Sequence, residues 1–302
     1  MRSARRPDRL RGRVFRGRDA VAAGLLTPDA LRGPAWRRLY RGIYADAALP
    51  DTINLRILGA CFLLPADGVF SGRTAAHLFG AEQLTEPDAP VEVTVTPGTS
   101  FGPVAGLRIR RAPLPPTDVT VIAHRRCTSE VRTALDLARF ESMAEGVVAL
   151  DVLLGKRIVR AGELAQAVAV LAPGRGTRRA RRVVELADGR SGSPQESRLR
   201  VLLAQAGLIA VPQYKVRDRN GDVVARVDLA FPELRIAIEY DGQWHGESSQ
   251  LSRDRRRMNR LSDAGWTVFY VTAADLHDPV ALVARVRALL ARCGKSGPRG
   301  WQ

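Results

Sequence analysis

VDLAFPELRIAIEYDGQWH, residues 227–245, is the stretch that decides the fold of the C-terminal third of this 302-residue chain. Its two apolar segments, separated by Pro-Glu, are typical of buried strands joined by a short connection. Three acids interrupt these strands: Asp228, Glu239 and Asp241. Side chains two positions apart on a strand face the same way, so Glu239 and Asp241 share a face. Asp228, on the preceding antiparallel strand, can lie opposite them.

Carboxylates crowded in an apolar sheet repel one another and lose hydration, so their burial needs a compensating positive charge. A divalent cation such as Mg²⁺ supplies this charge, since the ion prefers carboxylate oxygens and keeps several waters. An arginine supplies it too, and the basic segment 253–260 is a candidate source. We favour the cation and keep the arginine ion pair as the alternative.

The segments around this stretch predict a layered domain. A helix over SPQESRLRVLLAQAG begins after the cap residue Ser193 and carries Glu196 in its first turn, where an acid also simply favours the helix dipole. The predicted strands are VPQYKVRD, VVARVDLAF, ELRIAIEYDG and WTVFYV, and the predicted later helices are SQLSRDRRRMNRLSDAG and PVALVARVRALLARCG. The order α-β-β-β-α-β-α predicts a mixed sheet flanked by helices, in the α/β (α+β) class.

This part of the chain resembles the PD-(D/E)XK nuclease superfamily, specifically the branch similar to very-short-patch repair endonucleases. The pieces V-D-L-A-F-P, I-E-Y-D-G and W-H carry the resemblance, in the order and spacing of that branch. It implies a restriction-endonuclease-like domain that binds Mg²⁺, or Mn²⁺, through Asp228 and Glu239, with the carbonyl of Tyr240 completing the inner shell. It also matches Glu196 to the acid of the superfamily's opening helix.

One position departs from the superfamily pattern. The lysine two residues after the second acid, which positions or helps deprotonate the attacking water, is Asp241 here. In the repair-endonuclease branch a nearby histidine takes over, and His245 matches it; a histidine can accept a proton from the water or donate one to the leaving oxygen. A plain hydrogen bond at the strand end is the alternative for His245. The predicted catalytic residues are Asp228, Glu239, Asp241, His245 and Glu196, with Glu196 and Asp241 holding metal waters or orienting the nucleophile.

The chain carries a net charge of +16 and a sequence pI near 11.1, a balance typical of proteins that bind polyanions such as DNA. GC-rich coding also produces an excess of arginine, but these arginines cluster, which favours a DNA partner. On the helix that follows the acidic strands, Arg253, Arg256 and Arg257 are candidate phosphate contacts, although such a run is also typical of a solvated face. Trp244 is a candidate for stacking on a base, with aromatic packing as the alternative.

The N-terminal region predicts a second DNA contact. Residues 1–18 form an arginine-rich arm, either solvated or lying along DNA phosphate. Two short helices, over RDAVAAGL and PDALRG, and the hairpin RRLYRGIYAD with a glycine at its turn follow, an arrangement typical of a winged helix or of a plain helical cap. The segments RLYRGIYA, SGRTAAHLFG and TSEVRTALDLAR together resemble the N-terminal region of AbiEi-type antitoxin proteins. The resemblance implies that Arg37, Arg38 and Arg41 contact DNA, and it leaves a toxin partner open.

Composition predicts four segments: a basic arm and winged-helix-like region at 1–50, an α/β AbiEi-like region at 51–172, a basic helix and linker at 173–192, and the nuclease-like domain at 193–295. Three distant cysteines support neither a disulfide framework nor a cysteine zinc site. Without a signal peptide or an apolar run of bilayer length, we expect a cytoplasmic protein that does not contact membranes. Association of the chain with copies of itself stays open.

Taken together, these residues favour a Mg²⁺-dependent DNA endonuclease or nickase with an N-terminal DNA-binding region. The alternative is a DNA-binding transcriptional regulator of AbiEi antitoxin type whose nuclease fold is catalytically idle, which the missing lysine supports. A scaffold with a basic surface explains the net charge but does not explain why acids lie in the sheet.

Overall fold

The computed structural model describes residues 6–241 and 248–295, and for residues 248–255 and 295 it describes the backbone alone. The chain divides into two compact units. The N-terminal unit contains the residues up to Leu137 together with Gly162–Ala167, and the C-terminal unit contains Ala138–Ala161 together with the residues from Val168 onward. Both units combine helices with β-sheets, which confirms the predicted α/β (α+β) class.

The N-terminal unit begins with a small antiparallel sheet of strand order β1-β3-β2. Its elements are β1 (Val14–Arg16), α1 (Gly17–Ala22), β2 (Trp36–Tyr40) and β3 (Ile43–Asp46). The predicted hairpin between β2 and β3 is confirmed, and Gly42 in its turn has φ +78°, a left-handed conformation that glycine adopts without strain.

The second helix predicted for this region is wrong. Residues 28–33 contain only the 3₁₀ turn Ala30–Arg32. Pro34 disfavours helical backbone at the residue before it, and Gly33 is accordingly extended, with ψ 164°. A helix long enough to lie in a DNA groove is therefore missing from the described part of residues 6–50, where α1 has six residues.

The rest of the N-terminal unit is built on a five-stranded mixed sheet of order β6-β5-β4-β8-β7. Its elements are α2 (Ile53–Cys61), β4 (Val69–Phe70), α3 (Gly72–Leu78), β5 (Val91–Val95), β6 (Leu107–Arg111), β7 (Val119–Ile122), β8 (Arg125–Thr128) and α4 (Glu130–Phe140). The pairs β5–β6 and β4–β8 are parallel. Arg132 and Asp136, one helical turn apart on α4, form an ion pair with Nε and Oδ2 3.0 Å apart.

The C-terminal unit contains a four-stranded sheet of order β12-β11-β10-β9. Its helices and strands are α5 (Met143–Gly155), α6 (Ala161–Ala169, shared with the N-terminal unit), α7 (Thr177–Leu186), α8 (Pro194–Gln205), β9 (Val211–Arg217), β10 (Val223–Phe231), β11 (Ile236–Asp241), α9 (Ser248–Asp263), β12 (Thr267–Thr272), α10 (Ala273–His277) and α11 (Pro279–Lys295). Strands β9, β10 and β11 are antiparallel neighbours, and β12 returns parallel to β11. The predicted order from α8 onward is found, with the short helix α10 added.

Both faces of this sheet are covered by helices. Leu229, Ile236 and Ile238 pack in one apolar cluster with side chains of α8 and α11, whereas Val227, Ala230 and Ala237 pack in another with Leu261 of α9. Burial of each large apolar side chain contributes roughly 1.5–3 kcal/mol to folding. A charged side chain on β10 or β11 therefore needs a partner or an opening in this cover.

The division into units differs from the boundaries predicted at 172 and 192. Helices α5 and α7 pack on each other, and α5 also packs on α8, so residues 138–161 and 168–192 belong with the C-terminal sheet. The reason lies in a buried contact between segments distant in sequence, which composition does not reveal. Among the described residues, no helix combines the length and the apolar character needed to cross a membrane.

Candidate active site

Glu196 is held at the start of α8. The Ser193 hydroxyl caps this helix by accepting a hydrogen bond from the backbone N–H of Glu196 at 3.2 Å, and Pro194 occupies the first helical position. The Glu196 side chain is 9% exposed. Its Oε2 accepts hydrogen bonds from the Gly192 N–H at 2.8 Å and from the Gln213 amide at 2.6 Å. Burial, and then the charge of Asp228, raise the pKa of Glu196.

A buried ion pair fixes the helix that carries Glu196. Asp151 of α5 accepts hydrogen bonds at 2.6 Å from both Arg200 and Ser197 of α8, and its other oxygen accepts one from the Asp188 N–H at 2.6 Å. Burial raises the pKa of Asp151, and the charge of Arg200 opposes that rise. The helical layer that sequence analysis separates from the nuclease-like domain thus anchors one of its acids.

Asp228 lies on β10 immediately before Leu229, which pairs with Ile238 of β11, the neighbour of Glu239. Asp228 and Glu239 therefore lie next to the same pair of residues on adjacent strands. Asp228 Oδ2 accepts a hydrogen bond from the Tyr240 N–H at 2.9 Å, and Oδ1 accepts a longer one from Gln213 at 3.4 Å. The backbone of Tyr240 thus contacts Asp228 by donating its N–H.

Glu239 of β11 is 8% exposed and pairs with an arginine. Arg257 of α9 donates to both of its carboxylate oxygens, Nη1 to Oε2 at 2.8 Å and Nη2 to Oε1 at 2.6 Å. Nη2 also donates to the Arg226 carbonyl at 2.8 Å. Burial raises the pKa of Glu239, Arg257 lowers it, and the charges of Asp228 and Glu196 raise it further. The structure therefore contains the arginine compensation that the sequence leaves open as the alternative.

Three carboxylates from three elements consequently influence one another: Glu196 of α8, Asp228 of β10 and Glu239 of β11. Only Glu239 forms an ion pair within the part of the chain that the structure describes. Among the side chains that the structure describes, one guanidinium forms an ion pair with one of the three carboxylates, so two negative charges remain without an ion-pair partner there when all three acids are ionised. This excess charge is the main electrostatic feature of the site.

Gln213 is a site residue that sequence analysis misses. It lies in β9, and its side-chain amide joins Glu196 to Asp228. Its φ of +50° is left-handed, which is unusual for a non-glycine residue inside a strand. A polar residue on a strand is an ordinary feature, and neither the conformation nor the proximity to two acids leaves a signal in VPQYKVRD.

The other predicted site residues of this region differ in their exposure and in whether the structure describes their side chains. Asp241 ends β11 and is exposed. Trp244 and His245 lie outside the described residues, and Arg253 lies where only the backbone of α9 is described. Arg256 is exposed.

The contacts of Arg257 differ from the predicted ones. The sequence predicts that it contacts DNA phosphate, yet its guanidinium is bound to Glu239 and to the Arg226 carbonyl. Its side chain is 30% exposed, and its contacts lie toward the sheet. Sequence periodicity could not reveal the pairing of Arg257 with Glu239, because the arginines of 253–260 are spread around the helix. Only the packing of α9 on the sheet decides which of them reaches Glu239.

The three arginines of the N-terminal hairpin are brought together on neighbouring positions of β2 and its turn. Arg37 Nη1 donates to the Leu49 carbonyl at 2.7 Å, so this guanidinium supports the local fold. Arg38 and Arg41 are exposed. Among the three, Arg38 and Arg41 are therefore the better placed to meet a solvent-borne anion.

The donor chemistry of the acidic site suits Mg²⁺, since carboxylate oxygens are the ligands this ion prefers. In the present arrangement, however, both oxygens of Glu239 are engaged by Arg257. Within residues 6–241 and 248–295, no group of three or more His, Cys, Asp or Glu side chains has the arrangement to hold a metal ion. The chemistry of the ligands fits, but Arg257 already occupies one lone pair on each Glu239 oxygen.

Comparison with known proteins finds relatives that span both units. Two proteins of Mycobacterium tuberculosis, one from strain CDC 1551 / Oshkosh and one from strain ATCC 25618 / H37Rv, are each 29% identical over 263 residues. The match covers 86% of this chain and 94% of each relative, and both relatives are named uncharacterized proteins. No family model and no solved structure matches the chain. The chain is thus similar to these mycobacterial proteins over nearly their full length.

Proposed function

We propose that the C-terminal unit is a Mg²⁺-dependent nuclease domain that hydrolyses phosphodiester bonds of DNA, as an endonuclease or nickase. The observation that carries the proposal is the meeting of Glu196, Asp228 and Glu239, which come from three separate elements. Burial and mutual repulsion raise the pKa of Glu196 and Glu239, which opposes folding at neutral pH. Perturbed acids of this kind concentrate at functional sites.

The excess negative charge supports a divalent cation in particular. Arg257 offsets the charge of Glu239, and the amide of Gln213 is neutral, so it offsets neither Glu196 nor Asp228. A bound 2+ ion would balance the two charges that remain. Asp228 and Glu239, on adjacent strands, would hold the ion, and Glu196 would bind one of its waters.

The reaction assigns roles to the chain's own groups. Bound Mg²⁺ would supply the Lewis acidity that stabilises charge developing on the phosphate. Asp241, exposed at the end of β11, orients the attacking water in place of the superfamily lysine. His245 is our candidate for the proton transfer to the leaving oxygen.

DNA is the proposed substrate because of the charge balance and the exposed basic residues. The net charge of +16 favours a polyanion, and Arg38, Arg41 and Arg256 are exposed. Phosphate contacts of this type contribute affinity without sequence selectivity, so recognition of a particular DNA structure would come from other residues.

A metal titration followed by thermal unfolding tests the proposal. At a concentration near 100 times Kd, Mg²⁺ or Mn²⁺ should stabilise the folded protein by about 2.7 kcal/mol. For a chain of this size each kcal/mol shifts Tm by roughly 2–4 °C. The Asp228→Asn variant should lose the shift, whereas Glu233→Gln, which alters an exposed acid of the same unit, should keep it.

Plasmid nicking then tests the chemistry. We expect wild-type protein to nick supercoiled DNA with Mg²⁺, and Glu239→Gln to lose at least two orders of magnitude in rate. Equal nicking by wild type, Glu239→Gln and Asp228→Asn would attribute the cleavage to a contaminant and remove the enzymatic assignment.

A DNA-binding regulator with an idle nuclease fold is the second candidate, and one observation favours it. The bidentate pair of Arg257 and Glu239 occupies an acid that the superfamily uses for metal. Under this second function, Mg²⁺ leaves Tm unchanged while DNA affinity persists in Asp228→Asn and Glu239→Gln. The thermal titration above therefore separates the two functions.

A further inference from the structure

Gln213 is the described side chain that connects two acids of the site. Its Nε2 lies 2.6 Å from Glu196 Oε2 and 3.4 Å from Asp228 Oδ1. Glu196 belongs to α8 and Asp228 to β10, so no local segment of backbone sets the distance between them. The amide carries two N–H groups and can donate one to each carboxylate.

The chemical type of this bridge matters. A lysine or arginine in the same place would neutralise one of the acids, and the site would then have less negative charge to attract a cation. A glutamine amide draws the two carboxylates together and leaves their charge intact. Orientation of ligating carboxylates by neighbouring hydrogen-bond donors is a general requirement of metal sites.

The backbone of Gln213 is strained where this bridge forms. Its φ is +50°, while its neighbours Pro212 and Tyr214 pair with Leu229 and Val227 on β10. The left-handed conformation thus lies at a residue for which the structure describes no pairing with β10, between two residues that pair with β10. Strained residues persist when the surrounding structure imposes them, and they cluster at functional sites.

We propose that Gln213 is a positioning residue, which holds Glu196 and Asp228 at the separation at which both can act on one divalent cation. The inference rests on the proposed nuclease function and deepens it. It predicts that the amide is needed for metal affinity, whereas the strained backbone at residue 213 costs stability.

Two variants separate the effect of the amide on metal affinity from the effect of the strained backbone on stability. Gln213→Gly removes the amide and relieves the left-handed strain, and Gln213→Leu removes the amide while keeping the strain. Arg235→Gly is the matched control, because Arg235 also has φ +50°, is exposed and lies in the C-terminal unit. The readouts are the metal-free Tm and the Kd for Mn²⁺ from calorimetric titration of the full chain.

We expect Gln213→Gly to unfold without metal at a Tm no lower than that of wild type, and to bind Mn²⁺ at least ten-fold more weakly. Gln213→Leu should show the same loss of affinity and a lower Tm. Arg235→Gly should raise Tm and leave the Kd unchanged.

Three results would overturn the assignment. A wild-type Kd in both Gln213 variants would remove Gln213 as a positioning residue while the nuclease function stands. A lower metal-free Tm in Gln213→Gly, with Arg235→Gly raised, would assign Gln213 a structural role instead. Absence of Mn²⁺ binding by the wild type itself would overturn the nuclease function and this inference together.

Discussion

Arg257 and Glu239 form a two-point ion pair between α9 and β11, with donor–acceptor distances of 2.8 Å and 2.6 Å. Charge-assisted pairs of this geometry are among the strongest polar contacts in proteins. The pair occupies the acid that we propose as a metal ligand, so Arg257 and a cation compete for the same carboxylate oxygens. The balance between them is measurable.

Removal of Arg257 is the first test of this competition. Arg257→Ala leaves Glu239 buried without its partner, and we expect a loss of about 2–3 kcal/mol in unfolding free energy, below the cost for a fully buried pair because Arg257 is 30% exposed. Urea unfolding measures it, with Arg256→Ala, an exposed neighbour, as the control expected within about 0.5 kcal/mol of wild type.

The same variant should bind metal more tightly. Because Arg257 no longer occupies the Glu239 oxygens, Mg²⁺ should raise the Tm of Arg257→Ala by more than it raises that of wild type. An equal or smaller rise would show that the cation binds without Glu239, and the metal ligands proposed here would have to change.

Asp228 provides the second prediction. Its charge raises the pKa of both Glu196 and Glu239, so the neutral variant Asp228→Asn should stabilise the metal-free protein at pH 7, by about 1 kcal/mol. The amide oxygen still accepts the hydrogen bond from the Tyr240 N–H. Chemical denaturation checks this, and Asp222→Asn, at an exposed acid of the same unit, should change little. Destabilisation by Asp228→Asn would contradict the idea that the acids repel.

Asp67 provides a pH-dependent prediction for the N-terminal unit. The hydroxyls of Thr96 and Thr99 and the Thr96 N–H, at 3.1 Å, lower the pKa of Asp67 to about 2. Its pKa in an unfolded chain is about 3.9, so its stabilising contribution is complete above that pH and is lost as pH falls toward 2.

Asp67→Asn should therefore flatten this part of the stability profile. Urea midpoints measured from pH 5 down to pH 2 should converge between wild type and variant as the acid becomes protonated. Parallel curves across the whole range would mean that Asp67 has no lowered pKa in the folded protein.

DNA binding by the N-terminal hairpin is the fourth prediction. Arg38 and Arg41 are exposed, and each phosphate contact contributes about 0.9 to the slope of log K against log salt. Arg38→Ala combined with Arg41→Ala should therefore reduce that slope by roughly 2, uniformly across DNA sequences. The control replaces Arg157 and Arg219, which are exposed and lie outside the hairpin, and removes the same charge. Equal slopes in both double variants would remove the hairpin from the DNA interface.

Local patterns in the sequence determined most of the secondary structure. Alternation and turn chemistry over a few neighbouring residues account for the strands of the C-terminal sheet, the cap at Ser193, the hairpin at Gly42 and the antiparallel pairing of β10 with β11. The one clear local failure is the helix at 28–33, where the constraint of Pro34 outweighs the helical pattern.

Tertiary structure alone decided which charges meet. The choice of Arg257 among the arginines of α9, the bridge from Gln213 and the attachment of α5 to α8 through Asp151 and Arg200 join residues that lie between 15 and 49 positions apart. Such contacts depend on how helices pack on the sheet, and packing is a property of the whole buried volume. The sequence therefore specifies the acids, whereas the fold decides how their charge is balanced.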